Sequence, residues 1–381
     1  MSVRTTGIEI IGMISTTLAS EIYGKSIITG AVDLRFIAEF ARVHEEGGFD
    51  RVLVGYGSTG ADGFVVTAHA AAATTRLGFL IAHRPGFVAP TLAARKAASL
   101  DHVTGGRIAL HIITGGSDVE QQRDGDFLDH DARYRRTDEY LEVLWRTWTS
   151  ERPFDFDGEF YRVRGAFSEV KPLQHPAIPI YFGGASGPAL AVGARHCDVY
   201  ALWGEPVAAI RQSIAEVRAA APPGRTPRFS VSVRPILGAT EDQAWDRARS
   251  ILERILELRG DTKTPARSQS VGSQRLLDLA AKGEIHDKRL WTAIAAATGA
   301  AGSTTALVGT AEQVADALLD YYDAGADTVL IRGFDPLRDA IEFGRDLVPL
   351  VRAGVERRER RVVAAGSPDR GLRREGKNAV K

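Results

Sequence analysis

Short apolar, β-branched runs alternate along the chain with amphipathic stretches of helical period. The apolar runs cover 7–14, 51–54, 77–82, 108–113, 178–182, 198–202, 229–237 and 328–332. Most are almost continuously hydrophobic, as expected of strands covered on both faces. The intervening pattern predicts helices at 33–46, 62–73, 90–103, 132–149, 187–195, 207–220, 241–258 and 311–324. Thr240 and Thr310 each stand three residues before a glutamine, Gln243 and Gln313, which is a capping-box spacing. Gly47, Gly48 and Gly325 sit where left-handed helix caps belong. Eight strand–helix units in alternation predict an α/β fold, a closed (β/α)8 TIM barrel; the alternative is an open doubly wound sheet.

Three stretches interrupt the repeating unit. Residues 115–131 are long and polar for a strand-to-helix loop. Residues 151–176 contain FDFDGEFYRVRG, two alternating runs about Asp157 and Gly158, which predicts a β-hairpin. Residues 259–304 form the longest insertion, expected to act as a mobile lid on the face where barrels carry their chemistry. The expected organisation is one barrel over 1–355 with these insertions, followed by a basic, flexible tail over 356–381.

Composition narrows the class. Among 381 residues, 48 basic and 48 acidic side chains cancel, which disfavours a nucleic-acid binder. Hydrophobic residues at 44% and charged residues at 25% are those of an ordinary globular protein. No apolar run reaches the roughly 18 residues of a membrane span, and the N-terminal MSVRTTGIEIIGMIST has too short an apolar core for a signal peptide. A cytoplasmic protein without membrane partners is the expectation. The single cysteine, Cys197, excludes an intrachain disulfide and a cysteine-based zinc site. There is no HExxH, no GxSxG, no P-loop and no GxGxxG after the first strand, so metal, hydrolase, kinase and dinucleotide readings lose support.

The remaining chemistry gathers at strand ends. In YFGGASGPALAVGARH (181–196) a strand closes on Gly183 and Gly184, and a helix opens after Ala185 and Ser186. Backbone N–H groups at such a helix start suit a phosphate; the alternative is a tight turn with no ligand. GRIALHIITGGSD (106–118) places His111 and Thr114 at the end of a buried strand, and FLIAHRPGFVAPT (79–91) delivers His83 and Arg84 to the end of another. HDARYRRTDEY (130–140) puts Tyr134 on the first turns of a helix, and ALWGEP (201–206) ends a strand with Trp203, a platform for a planar ring. Each also has a plain structural reading, as a core or surface residue.

Taken in order, these segments resemble the flavin-dependent, bacterial luciferase-like monooxygenases, in particular the alkanesulfonate monooxygenase group. RPGFVAPTLAARKAASLDHVTGGRIALHIITG, DGDFLDHDARYRRTDEYLEVLWR, DFDGEFYRVRG, PIYFGGASGPA, DVYALWGEP, SVGSQR and TALVGTAEQVADAL carry the likeness across about residues 7–352. The resemblance implies a two-component enzyme, a homodimer or homotetramer, in which a separate NAD(P)H-dependent flavin reductase supplies FMN as FMNH2. O2 and a small organic substrate then react at the C-terminal face of the barrel. Carried over by motif, Ser186 with Gly184 and Ala185 would hold the FMN phosphate together with Tyr134. Thr114 and His111 would approach the flavin ring. Arg234, His83 and Trp203 would form the catalytic set.

The chain also departs from that group. Gly60 stands where the alkanesulfonate enzymes carry a cysteine, Ser232 and Arg234 replace an Arg–His pair, Thr298 aligns near a lid arginine and Phe334 replaces a tyrosine. A sulfonate needs charge-assisted donors in a dry pocket, and Arg234, with His83 and Arg84, is what remains to supply them. The expected activity is therefore FMNH2- and O2-dependent oxygenation of a small compound, with organosulfur compounds and sulfonates among the candidates. The alternatives are an F420-dependent oxidoreductase on the same barrel and a non-catalytic flavin-binding protein.

Overall fold

The computed structural model describes residues 7–18, 31–259, 270–300, 302 and 304–366. Eight parallel strands form a closed barrel: β1 (Glu9–Ile14), β2 (Arg51–Val54), β3 (Gly78–His83), β4 (Ile108–Ile113), β5 (Ile180–Gly183), β6 (Val199–Trp203), β7 (Arg228–Leu237) and β8 (Thr328–Ile331). Each pairs with the next, and β8 closes on β1 through Glu9↔Thr328 and Ile11↔Leu330. All eight expected strands are present, displaced by at most two residues at an end. β3 is buried at every position, as its unbroken apolar run requires.

The inward parity is set by one small cluster. Ile11, Leu80, Ala109, Tyr181, Val199 and Leu330 meet inside the barrel with Leu53 beside them. Below them a polar plug closes the N-terminal end. Glu9 accepts from Arg51 at 2.8 Å, from the Tyr181 hydroxyl at 2.6 Å and from the Thr328 hydroxyl at 3.2 Å. Burial alone would raise the Glu9 pKa, but Arg51, the Tyr181 hydrogen bond and Arg228 together bring it below the ordinary value. Strand residues of the other parity pack against the helices in the main core, which includes Phe40, Phe79, Ile112, Phe182 and Phe229.

β7 is the longest strand because it changes partners. Its first half pairs with β6 and β8; from Arg234 onward it pairs with an additional parallel strand, Ala306–Gly309. The sequence pattern does not separate that four-residue strand from the helix that follows it. Around it, Ile236, Ala248, Trp291, Val308 and Phe334 build a side core outside the barrel. Helices Asp118–Arg123, Val271–Ala280, Ala293–Thr298 and Pro336–Glu342 are further elements beyond the alternating pattern. The expected hairpin is Phe154–Asp157 with Arg162–Ala166. Residues 356–366 of the expected flexible tail lie instead within helix Val348–Gly366. Of the lid and tail, 260–269, 301, 303 and 367–381 lie outside the described residues. Among the described residues no helix is long and apolar enough to cross a membrane.

Candidate functional site

The C-terminal ends of β4 and β5 form one wall of the barrel mouth. His111 lies on the inward parity of Ala109, and its ring stands against Gly183, where an added Cβ would be 3.4 Å from His111 Cε1 and Nε2. Nδ1 of His111 is buried and makes no hydrogen bond among the described residues, and burial lowers the ring pKa to about 4, so the imidazole is neutral near pH 7. Thr114 is buried, its hydroxyl 3.3 Å from that of Thr137. Its carbonyl accepts from the amide of Gln121 at 2.7 Å, which pins the following loop.

Above β5 the chain makes a cradle. Gly184 has no room for a side chain: a Cβ there would stand 2.6 Å from the Ala189 methyl and 3.1 Å from the Tyr134 hydroxyl. The Gly184 carbonyl is held by the Tyr200 hydroxyl at 2.8 Å. Ala185 is exposed beside it. Ser186 caps helix Gly187–His196 by accepting from the Ala189 N–H at 3.3 Å, and its side chain lies beside that of Tyr134. Burial raises the Tyr134 pKa, and the Ser186 contact opposes it. A hydroxyl, a helix start and a glycine-lined backbone thus converge, a donor set suited to a phosphate.

The opposite wall is cationic and aromatic. Trp203 lies on the inward parity of Val199, pairs in register with Ser232 and is covered by helix Val271–Ala280 of the longest insertion: a Cβ on Gly272 would come within 3.0 Å of its ring. Arg234 is buried where β7 leaves the barrel, with its guanidinium carbon 4.4 Å from the centre of the Phe334 ring. Burial and then the neighbouring Arg332 lower its pKa, opposed by Asp339. Arg332 follows β8 on the inward parity of Leu330, donates to the Met13 sulfur at 3.4 Å and is lowered by burial to about 10. The sequence reading did not weigh Arg332. Its position as the last residue of the eighth apolar run was the available signal.

His83 does not join them. It follows the outward parity of Phe79 and Ile81, its Nε2 is 2.6 Å from the Tyr140 hydroxyl, and its ring meets Phe64 edge-on. It is a buried histidine between strand and helices, lowered to about 4 by burial and then by Lys96, so the expectation that it lines the pocket is corrected. A one-residue step along a strand reverses the face: Arg84, not His83, points inward. Of the departures noted above, Thr298 bonds back to the Ile294 carbonyl at 2.8 Å within its own helix, and Phe334 is 2% exposed in the side core. Among the described residues no group of three or more His, Cys, Asp or Glu could hold a metal ion.

A family model described as luciferase-like monooxygenase matches residues 9–328. The chain belongs to this family. Solved structures share the luciferase-like barrel at low identity. A riboflavin lyase, solved with modified FMN and riboflavin, matches with a TM-score of 0.74 and 20% identity, covering 93% of this chain and 92% of that one. The EDTA monooxygenase from Chelativorans sp. BNC1 matches with a TM-score of 0.72 and 21% identity, covering 91% and 94%. A long-chain alkane monooxygenase matches with a TM-score of 0.71 and 20% identity, covering 93% and 92%.

Proposed function

We propose that this luciferase-like protein is an FMNH2- and O2-dependent monooxygenase of a small organic substrate, with its reduced flavin delivered by a separate NAD(P)H-dependent reductase. The observation that carries the reading is the pairing, on adjacent strands, of the Gly184–Ser186–Tyr134 cradle with a neutral His111 whose Nδ1 is buried and unmatched. The residues fit a flavin mononucleotide. The cradle suits its phosphate, and the orphaned His111 nitrogen suits a ring crossing the mouth; Thr114, three residues on and so of the opposite parity, has its hydroxyl against Thr137 instead.

Bound reduced flavin would supply the electrons that activate oxygen. The chain's own part is positioning. Ser186, Tyr134 and the backbone about Gly184 hold the anionic end. His111, unprotonated near pH 7, offers a hydrogen bond without adding a charge. Trp203 and the lid helix over it cover the mouth and exclude water. Arg234 and Arg332 place positive charge on the far wall, where an anionic substrate group would be stabilised. Kinship with the alkanesulfonate group in particular, a homo-oligomeric state and a cytoplasmic location are part of the same proposal.

A second reading, an F420-dependent oxidoreductase, is favoured by the fold shared with an F420-dependent secondary alcohol dehydrogenase, at a TM-score of 0.65 and 17% identity. Anaerobic fluorescence titration with FMNH2, FMN and F420, followed by admission of oxygen, separates the two. The expected result is tighter binding of FMNH2 than of FMN and no measurable binding of F420. Equal affinity for both FMN redox states, or preference for F420, overturns the proposal.

A further inference from the structure

Arg84 follows His83 at the end of β3, on the inward parity of Leu80 and Ala82. Ala82 is the register partner of His111, so Arg84 stands one inward layer above the His111 level, roughly 7 Å further along the strand direction. It is 6% exposed. Loops after three strands close over it. Tyr56, after β2, presents its ring face 4.5 Å from the guanidinium carbon, and Phe87 stacks on Tyr56 with centroids 6.2 Å apart. Glu120, after β4, accepts from Nη2 at 2.6 Å and from the Ser58 N–H at 3.2 Å. Among the described residues, Nε and Nη1 of Arg84 are buried with no hydrogen-bond partner.

A buried donor without an acceptor is destabilising, and more so on a charged group. A ligand oxygen would remove that penalty. The local charge decides which kind. Glu120 already balances Arg84, and Asp124, which accepts from the Tyr56 hydroxyl at 2.7 Å, adds a second carboxylate to the neighbourhood. A further anion would face both carboxylates; an uncharged oxygen would not. We propose that Arg84, braced by Glu120 and Tyr56, recognises an uncharged carbonyl oxygen at the barrel mouth through Nε and Nη1. The carbonyl belongs either to a ketone, ester or amide substrate or to the ring of the flavin. Only the second source rests on the cofactor reading above.

The test uses the wild type, R84K, R84Q and E120Q, each checked for native fold by circular dichroism and thermal melting. Lysine keeps a positive charge opposite Glu120 but lacks the second and third nitrogen donors. One arm titrates FMNH2 and FMN anaerobically. The other measures binding of cyclohexanone and cyclohexanecarboxylate by ligand-observed NMR. A loss of about tenfold or more in flavin affinity in both Arg84 variants assigns the donors to the flavin carbonyl. Unchanged flavin affinity with ketone binding lost by a similar factor assigns them to the substrate; tenfold corresponds to about 1.4 kcal/mol. E120Q, which leaves Arg84 an uncompensated cation, is expected to raise carboxylate affinity relative to the ketone if the substrate is the source and to change flavin affinity if the flavin is; should the Arg84 variants not fold, no change in either arm of E120Q overturns the proposal. Arg84 variants equal to wild type in both arms, or a carboxylate affinity that falls in R84K and R84Q while ketone and flavin affinities hold, overturns the proposal. Failure of wild type to bind any flavin would overturn the cofactor reading and leave the ketone arm standing.

Discussion

Two side chains show how local surroundings decide a residue's role. Ser186 caps its helix and touches Tyr134 in the same place. Aspartate is an equally good helix cap, so Ser186→Asp should fold while setting a negative charge against the flavin phosphate. Flavin affinity is expected to fall by ~1–3 kcal/mol; an unchanged FMNH2 titration would remove the phosphate assignment. His83 tests the opposite case, a histidine with a structural role. Its ring titrates at about 4 in the folded protein against 6.5 for an unperturbed histidine. Between those values the unfolded chain binds a proton that the native chain refuses. Stability therefore falls as pH drops from 6.5 towards 4 and levels off below. The difference is about 3 kcal/mol for this group. His83→Gln removes the titration, so its urea-unfolding free energy should decline correspondingly less between pH 7 and pH 4. Parallel pH profiles for variant and wild type would show that His83 does not carry this dependence.

At the scale of elements, the barrel depends on backbones that touch. The π-helical turn Phe343–Leu347 brings Gly344 against Gly47, the cap of helix Leu34–Glu46: a Cβ on Gly344 would lie 2.5 Å from the Gly47 Cα. No side-chain rotation relieves a clash between backbones. Gly344→Ala should cost about 1–3 kcal/mol or more in chemical denaturation. Gly63→Ala, at the start of helix Gly63–Ala71, is the contrast: its added Cβ meets its nearest neighbours, Ile81 and Val54, at 3.4 and 3.5 Å, ordinary van der Waals contact. It should leave stability unchanged or raise it by up to about 1 kcal/mol through helix propensity. Equal effects from the two substitutions would show that the contact between the turn and the helix cap yields readily.

At the scale of the molecule, the wall on β4 and β5 that carries the proposed flavin cradle faces an arginine wall on β7 and β8. At the positions that the resemblance to the alkanesulfonate group would align with its sulfonate-binding residues stand Ser232, Thr298, bonded within its own helix, and Phe334, in the side core. Each lost charge-assisted hydrogen bond is worth about 1.5–3 kcal/mol. Methane- to octanesulfonate should therefore bind roughly 10²–10⁴-fold more weakly than they would with those donors in place. A sulfite-release assay with a flavin reductase supplied checks this. Brisk turnover that vanishes in Arg234→Ala or Arg332→Ala would show instead that the two guanidiniums replace the missing donors.

The barrel could be read from the chain because its signal is local and repeated. Strands buried on both faces must be apolar throughout, caps need particular residues, and eight such units in alternation leave few topologies. The Gly184–Ser186 cradle was legible for the same reason, since a strand end, two glycines and a helix cap are contiguous. What the sequence could not supply was parity and partnership across distance. His83 and Arg84 are adjacent, yet the twist of β3 and its register with β4 send one to Tyr140 and the other over the mouth. Arg332 meets Arg234 only because β7 and β8 are neighbours in the closed sheet. The balancing of Arg84 by Glu120 joins residues 36 apart in sequence. Such pairings follow from closure of the barrel, which brings strand ends together regardless of their separation along the chain.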